Sequence, residues 1–179
     1  MLYEIDARDM IVSVDGEWSR FAAANDGPDA DAEVVLGRSL WDFVSGFAVR
    51  DLYRSLVRRV RGGHPVSFEF RCDGPAERRL LRMEMRAAGG GHVGFHSEIV
   101  RVEEREPVNV HPAIFSGRAL PAERFIAVCS WCKRIRLPKA HWVEVEEAVV
   151  KLQLFREPPR LTHGICGACY ERVSESIGA

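Results

Sequence analysis

The chain has 179 residues, 46% of them hydrophobic and 28% charged, the balance of a globular protein and not of a disordered tail. Its 25 basic and 26 acidic side chains leave a formal net charge of −1, which argues against a polybasic membrane anchor and a dedicated nucleic-acid binder. No apolar run approaches the ~18 residues of a membrane span, and Met1-Leu2-Tyr3-Glu4-Ile5-Asp6 lacks the basic and apolar regions of a signal peptide, so a cytoplasmic protein is expected.

In chain order, Met10 to Val14 reads as a strand, and Asp15-Gly16 as a tight turn leading to Trp18, Phe21 and a run of alanines. Gly27 to Ala32 reads as a polar loop. Arg38 to Val44 has the look of a short helix. Ala48 to Arg61 is a longer helix, with Leu52, Leu56, Val57 and Val60 on one side and arginines on the others. Three period-two runs follow. Val66, Phe68, Phe70 and Cys72 alternate with Ser67, Glu69 and Arg71. Leu81, Met83 and Met85 alternate with Arg82, Glu84 and Arg86. Val93, Phe95, Ser97 and Ile99 alternate with His92, His96 and Glu98. Asp73-Gly74-Pro75 and Gly89-Gly90-Gly91 supply the turns, giving an antiparallel meander with an apolar face and a charged one. Glu69 and Arg71 are placed to pair with Arg82 and Glu84 across strands. Glu103 to Pro107 reads as the end of the last strand running into a linker that Pro107 and Pro112 keep extended.

Four of the five cysteines fall in the last third at two identical spacings, Cys129-Ser130-Trp131-Cys132 and Cys166-Gly167-Ala168-Cys169. Two thiols three positions apart on a tight turn can face one ion, and two such turns supply the four ligands of a tetrahedral site. In a cytosolic chain zinc is the usual occupant, one ion per chain. The 33 residues between Cys132 and Cys166 exceed the commonest zinc-ribbon spacing, so they hold structure of their own. From His141 to Phe155, Trp142, Val145, Val149, Leu152 and Phe155 form a helical stripe, ended by Glu157-Pro158-Pro159; Glu144, Glu147 and Lys151 lie elsewhere on its circumference. The picture is a knuckle, a helix and a second knuckle pinned by the metal.

His163, three residues before Cys166, is an alternative ligand, or a neighbour of a shell that four thiolates already complete. Lys133, Arg134, Arg136 and Lys139 follow the first knuckle and would offset the −2 formal charge of a zinc tetrathiolate. Residues 119–179 hold nine basic and seven acidic side chains, too even a balance for a nucleic-acid footprint. A c-type haem is excluded, because Lys133 and Tyr170 stand where C-x-x-C-H requires histidine. A thioredoxin-like pair is the rival reading: Phe125 to Val128 reads as a strand running into Cys129, and Lys133 and Arg134 would lower thiol pKa values. It leaves the second C-x-x-C unexplained.

The order of elements, with Val35-Leu36-Gly37-Arg38-Ser39-Leu40-Trp41-Asp42-Phe43, resembles a PAS domain over roughly residues 8–103. The resemblance implies a sensory module with a five-stranded antiparallel sheet, helices on one face and a pocket between them. Residues of such a pocket would be Trp41, Phe43, Phe68, Phe70, Met83, Met85 and Phe95, which otherwise fill the core; its ligand is not specified. Flavin-binding light sensors carry an Asn-Cys-Arg-type motif, absent here. Haem-binding members use a helical histidine, whereas His64 stands in a turn before a strand. Cys129 to Ile135, Trp142 and Thr162-His163-Gly164-Ile165-Cys166 resemble a cysteine-rich segment appended to bacterial PAS-containing and response-regulator-like proteins, for which no enzymatic role is implied.

Gly89-x-Gly91-x-x-Gly94 matches a dinucleotide fingerprint in letters only, since it opens a strand and no helix N-terminus can hold a pyrophosphate. No Walker loop, G-x-S-x-G elbow or H-E-x-x-H occurs. The expectation is therefore an α+β, non-enzymatic bacterial signalling protein: a PAS-like domain over 1–103, a linker over 104–122 and a zinc module over 123–179. It would act on a protein partner in a signalling pathway or as a homodimer. The alternative is a thiol switch in which oxidation of the cysteines releases zinc, and less plainly a thiol oxidoreductase.

Overall fold

The computed structural model describes residues 1–24, 31–109, 125–154 and 160–178. The linker beyond residue 109, most of the loop from Gly27, Pro112, and the helix stop at Phe155 and Glu157-Pro158-Pro159 lie outside these residues. Among the described residues no helix is long and apolar enough to cross a membrane. The class is α+β, with a five-stranded antiparallel sheet, helices and a separate four-stranded sheet.

The chain divides into two compact units, each discontinuous in sequence. One comprises Met1–Glu69, Arg82–Glu98 and Arg172–Ala179; the other comprises Phe70–Leu81 and Ile99–Glu171.

The five-stranded sheet contains β1 (Leu2–Ile5), β2 (Ile11–Val14), β3 (Val66–Arg71), β4 (Glu77–Gly89) and β5 (His92–Glu104), in the spatial order β2-β1-β5-β4-β3. The meander read from residues 64–100 is present. β1 was not anticipated: it lies between β2 and β5, with Tyr3 opposite Phe95 and Ile5 opposite Val93. On the inner face Ile5, Val66, Phe68, Met83, Met85, Val93 and Phe95 are buried, as strand alternation requires. Helix α1 (Gly16–Ala24) brings Trp18 edge-on to Tyr3, which in turn stacks on Phe95 at 4.3 Å between ring centres. A short helix, α2 (Ala32–Val35), is capped by Asp31. The helix expected over residues 38–44 is a single 3-10 turn, Leu40–Asp42, capped by Ser39. Helix α3 (Phe47–Arg61) buries Val49, Leu52, Leu56, Val57 and Val60, and its Tyr53 meets Phe68 edge-on.

Turn chemistry and charge fix the ends of these elements. Gly90 and Gly91 close the β4–β5 hairpin at positive φ, and a Cβ on Gly91 would stand 2.9 Å from that of Ala7. Asp9, itself at φ 64°, accepts from the Trp41 indole at 2.7 Å and pairs with Arg61 at 2.7 Å, holding the β1–β2 turn against two helical segments. Arg82 pairs with Glu69 and Glu98, both at 3.3 Å, as the charged face suggested. Arg71 does not join it. It stands at the end of β3 and turns to Asp73 and Glu144 instead.

The second sheet runs β8-β7-β6-β9, formed by β6 (Phe125–Cys129), β7 (Ile135–Arg136), β8 (Trp142–Val143) and β9 (Arg160–Gly164). This corrects the knuckle–helix–knuckle picture. Trp142 and Val143 pair with Arg136 and Ile135, and the helix, α4, spans only Val145–Leu152 because Glu144 at its N-cap is extended. β9 lies parallel to β6, and a last helix, α5 (Gly167–Gly178), follows. Ile126, Val128, Ile135, Val143, Val145, Ala148, Val149 and Leu154 form a buried cluster under this sheet.

Lys139 and Ala140, in the turn between β7 and β8, both take positive φ, 61° and 60°. A left-handed backbone costs a β-carbon residue roughly 1 kcal/mol. Ala140→Gly is therefore expected to raise the denaturation midpoint by the equivalent of about 0.5–1 kcal/mol; a lower midpoint in urea would show that the turn is not strained.

Candidate metal centre

Each C-x-x-C is positioned by a strand of the second sheet. β6 delivers Cys129 at its last residue, and the chain then folds back: the Lys133 N–H donates to the Cys129 carbonyl at 3.0 Å, and the Cys129 N–H donates to the Arg134 carbonyl at 2.8 Å. Lys133 closes this turn at φ 59°. The partner strand β9 ends at Gly164, paired with Cys129, and the Ser130 N–H donates to the Gly164 carbonyl at 2.9 Å. Cys166 follows two residues later, and Cys169 lies on the first turn of α5. Parallel pairing thus carries Cys129 and Cys166, 37 residues apart, to the same sheet end.

The four sulfurs lie within 4.8 Å of one another, and Cys132 Sγ stands 3.7 Å from Cys166 Sγ. A tetrahedron with metal–sulfur bonds of about 2.3 Å has edges of about 3.8 Å. All four thiols are free. The Cys166 N–H points to Cys129 Sγ at 3.4 Å, the donation that a knuckle turn offers a thiolate. Cys129, Cys166 and Cys169 are buried and Cys132 is half-buried. These residues could hold a metal ion.

The thiol electrostatics suit a cation. Cys129 is held far below the usual thiol range, first by hydrogen bonds from the Cys132 and Cys169 thiols, then by backbone N–H groups. Donating to that thiolate pushes Cys132 up to about 12, and it raises Cys169 as well. A bound metal would supply the stabilisation that the Cys132 and Cys169 thiolates lack.

His163 sits on β9 opposite Val128 and is not in the cluster, which the four cysteines complete. Burial, then the nearby Lys133 charge, lowers its pKa, so its imidazole is neutral at neutral pH. Of the basic run, Arg134 is placed near Cys132 and Cys166, whose charges help to raise its pKa after the hydrogen bond to Glu144. Lys133 donates to the Ser130 carbonyl at 3.3 Å, while Arg136 and Lys139 are exposed farther along the chain.

Sequence reasoning missed what supports the first knuckle. Trp131, between the two cysteines, is 2% exposed, and its carbonyl accepts from the Arg71 N–H at 2.6 Å. Glu144 bridges Arg71 at 2.8 Å and Arg134 at 3.0 Å. Burial alone would raise the Glu144 pKa, but the two guanidinium groups outweigh it and hold the carboxyl below its ordinary range. Arg105 and Arg78 share Glu146 at 2.8 and 2.7 Å. Arg105 also donates to the Gly74 carbonyl at 2.7 Å. Neither the spacing of these charges nor their local pattern pairs them; only the density of Arg and Glu in both segments hinted at it.

The residues expected around a PAS pocket are divided. Phe68, Met83, Met85 and Phe95 are buried on the inner sheet face, and Phe70 is half-buried in the second unit. Trp41 lies under Arg54 at 5.0 Å and Phe43 under Arg38 at 4.8 Å. Phe95 also borders a groove of about 400 Å³ with Leu2, Glu4, Ser13, Arg86 and His96; the other six do not. His64 is exposed after the end of α3, and Cys72 is half-buried one residue past β3. No protein-family model, curated protein or solved structure matches the chain.

Proposed function

We propose that the chain is a non-catalytic signalling protein in which a PAS-like sensory domain is joined to a structural zinc centre held by Cys129, Cys132, Cys166 and Cys169. The convergence of four free cysteines to within 4.8 Å carries this reading. Four thiolates favour zinc among the common intracellular divalent ions, and an all-cysteine tetrahedral shell leaves no open position for substrate. The five-stranded antiparallel sheet with helices against its apolar face supports the PAS-like part, as do the positions of Phe68, Met83, Met85 and Phe95 on that face. A bacterial cytoplasmic setting, a protein partner and homodimerisation belong to the same reading.

Elemental analysis of protein purified without added metal, with its visible spectrum, tests it. About one zinc per chain and no colour are expected. No zinc, with four titratable thiols or two disulfides, would overturn the structural site, and iron with visible bands would assign the centre to a different metal.

One observation favours a thiol switch as the second reading: Cys132 is the half-buried member of a set whose other three are buried, so one ligand is open to an oxidant. Zinc release by stoichiometric peroxide, reversed by a dithiol, would distinguish the switch from a static site. Convergence of both C-x-x-C pairs on one centre disfavours the oxidoreductase reading.

A further inference from the structure

Away from the cysteines, the second unit carries a shallow groove of about 380 Å³. Phe125, Leu137, Pro138 and Leu152 line it with apolar surface, and Arg136 and Lys139 stand at its rim. Phe125 is 62% exposed, large for an aromatic at the start of a strand, and the Arg160 guanidinium lies over its ring at 4.7 Å. In the same unit Arg71, Arg78, Arg105, Arg134 and Lys151 each hold a carboxylate. Arg136, Lys139 and Arg160 make no ion pair among the described residues. Lys139 is held at the rim by its left-handed turn. Apolar floor and cations with no ion pair among the described residues occur together here.

We propose that this groove docks an acidic peptide segment of a partner protein, which seats one apolar side chain on Phe125, Leu137 and Leu152 and places flanking carboxylates against Arg136 and Lys139. Charge complementarity chooses the occupant. Two rim cations and Arg160 are too few to track a nucleic-acid backbone, and a chain of net charge −1 does not favour one. They are also fewer than the basic cluster an anionic membrane surface requires. A small ligand is normally enclosed on most of its surface, which an open groove does not provide. The size suits one large side chain and its neighbours, an anchor with a charged surround. This inference goes beyond the metal reading and does not depend on which ion the cysteines hold.

The test uses the ¹⁵N-labelled full chain as purified and a capped pentapeptide with one phenylalanine between two pairs of acidic residues. Saturable shifts of the Ala127, Leu137, Lys139 and Ala140 amides are expected. Changing the acids to their carboxamides, or the phenylalanine to alanine, is expected to weaken binding about tenfold or more, as is the double variant Arg136→Glu, Lys139→Glu. Metal content measured on each sample separates loss of the groove from loss of the fold. Should the double variant lose its metal, Arg136→Gln and Lys139→Gln singly carry the comparison, each expected to weaken binding about threefold. No saturable shift at millimolar peptide, equal binding of the carboxamide peptide, or equal binding of octanoate or a uridine oligonucleotide would overturn the proposal.

Discussion

Cys129→Ser is expected to cost the chain its metal and, with the metal, the ordered packing of the second unit. Among the described residues the unit's buried cluster of eight is built from one five-residue strand, two two-residue strands, one eight-residue helix and Leu154 just past it, so apolar burial has little to spare against chain entropy. Structural zinc contributes about 10 kcal/mol or more of apparent binding free energy at neutral pH, all of it available to folding when the site is absent from the unfolded chain. Cys129 is the central thiol of the cluster, since it accepts from Cys132, Cys169 and the Cys166 N–H. Buried Trp131 reports the change: its emission should shift to longer wavelength in Cys129→Ser, and likewise when a strong chelator strips the native chain. Cys72→Ser should leave metal and emission as they are. Full metal content and unchanged emission in Cys129→Ser would show that the thiols merely pack together.

Asp73→Ala should cost about 3 kcal/mol, the next largest effect. The Asp73 side chain is 1% exposed; it holds Arg71 and lies 4.0 Å from Arg105, whose own side chain is 8% exposed. Removing one member of a desolvated charge set leaves the others uncompensated, and that penalty, not the worth of the pair, sets the size of the loss. Arg82→Ala is the matched control, because its partners Glu69 and Glu98 are about half exposed and such pairs contribute less than about 1 kcal/mol. Urea denaturation of the metal-loaded proteins compares the two. Equal losses would mean that water reaches Asp73 well enough to replace its partners.

What could be read from the sequence followed from strong local signals. The alternation over β3 to β5 and the apolar stripe of α3 are long enough to be periodic, and two C-x-x-C pairs specify four candidate ligands by count alone. Short strands carry no such signal. β1 buries only Ile5, and β9 buries none of its five residues, so neither shows alternation although both pair fully. Trp142 continued a helical stripe by chance of spacing, and its pairing with Arg136 overrode that pattern. The ionic contacts from Arg71 and Arg105 to residues 144 and 146 join segments 73 and 41 positions apart, and no local rule selects partners at that range. The compact units are discontinuous for the same reason: the turn between β3 and β4 is tied by these charges to the cysteine-bearing segment.

The parallel pairing of β6 with β9 also sets an order of events during synthesis. Cys129 and Cys132 leave the ribosome first, and Cys166 is made 37 residues after Cys129. At about 5–20 residues per second, that leaves roughly 2–7 s in which the nascent chain presents a bare dithiol before its second half exists. During that interval the first pair can bind an ion through two sulfurs only, or be oxidised within itself. On the zinc reading, metal capture would therefore be a late step in maturation, with the supply of metal and reductant over those seconds setting how much of the newly made protein reaches its finished form.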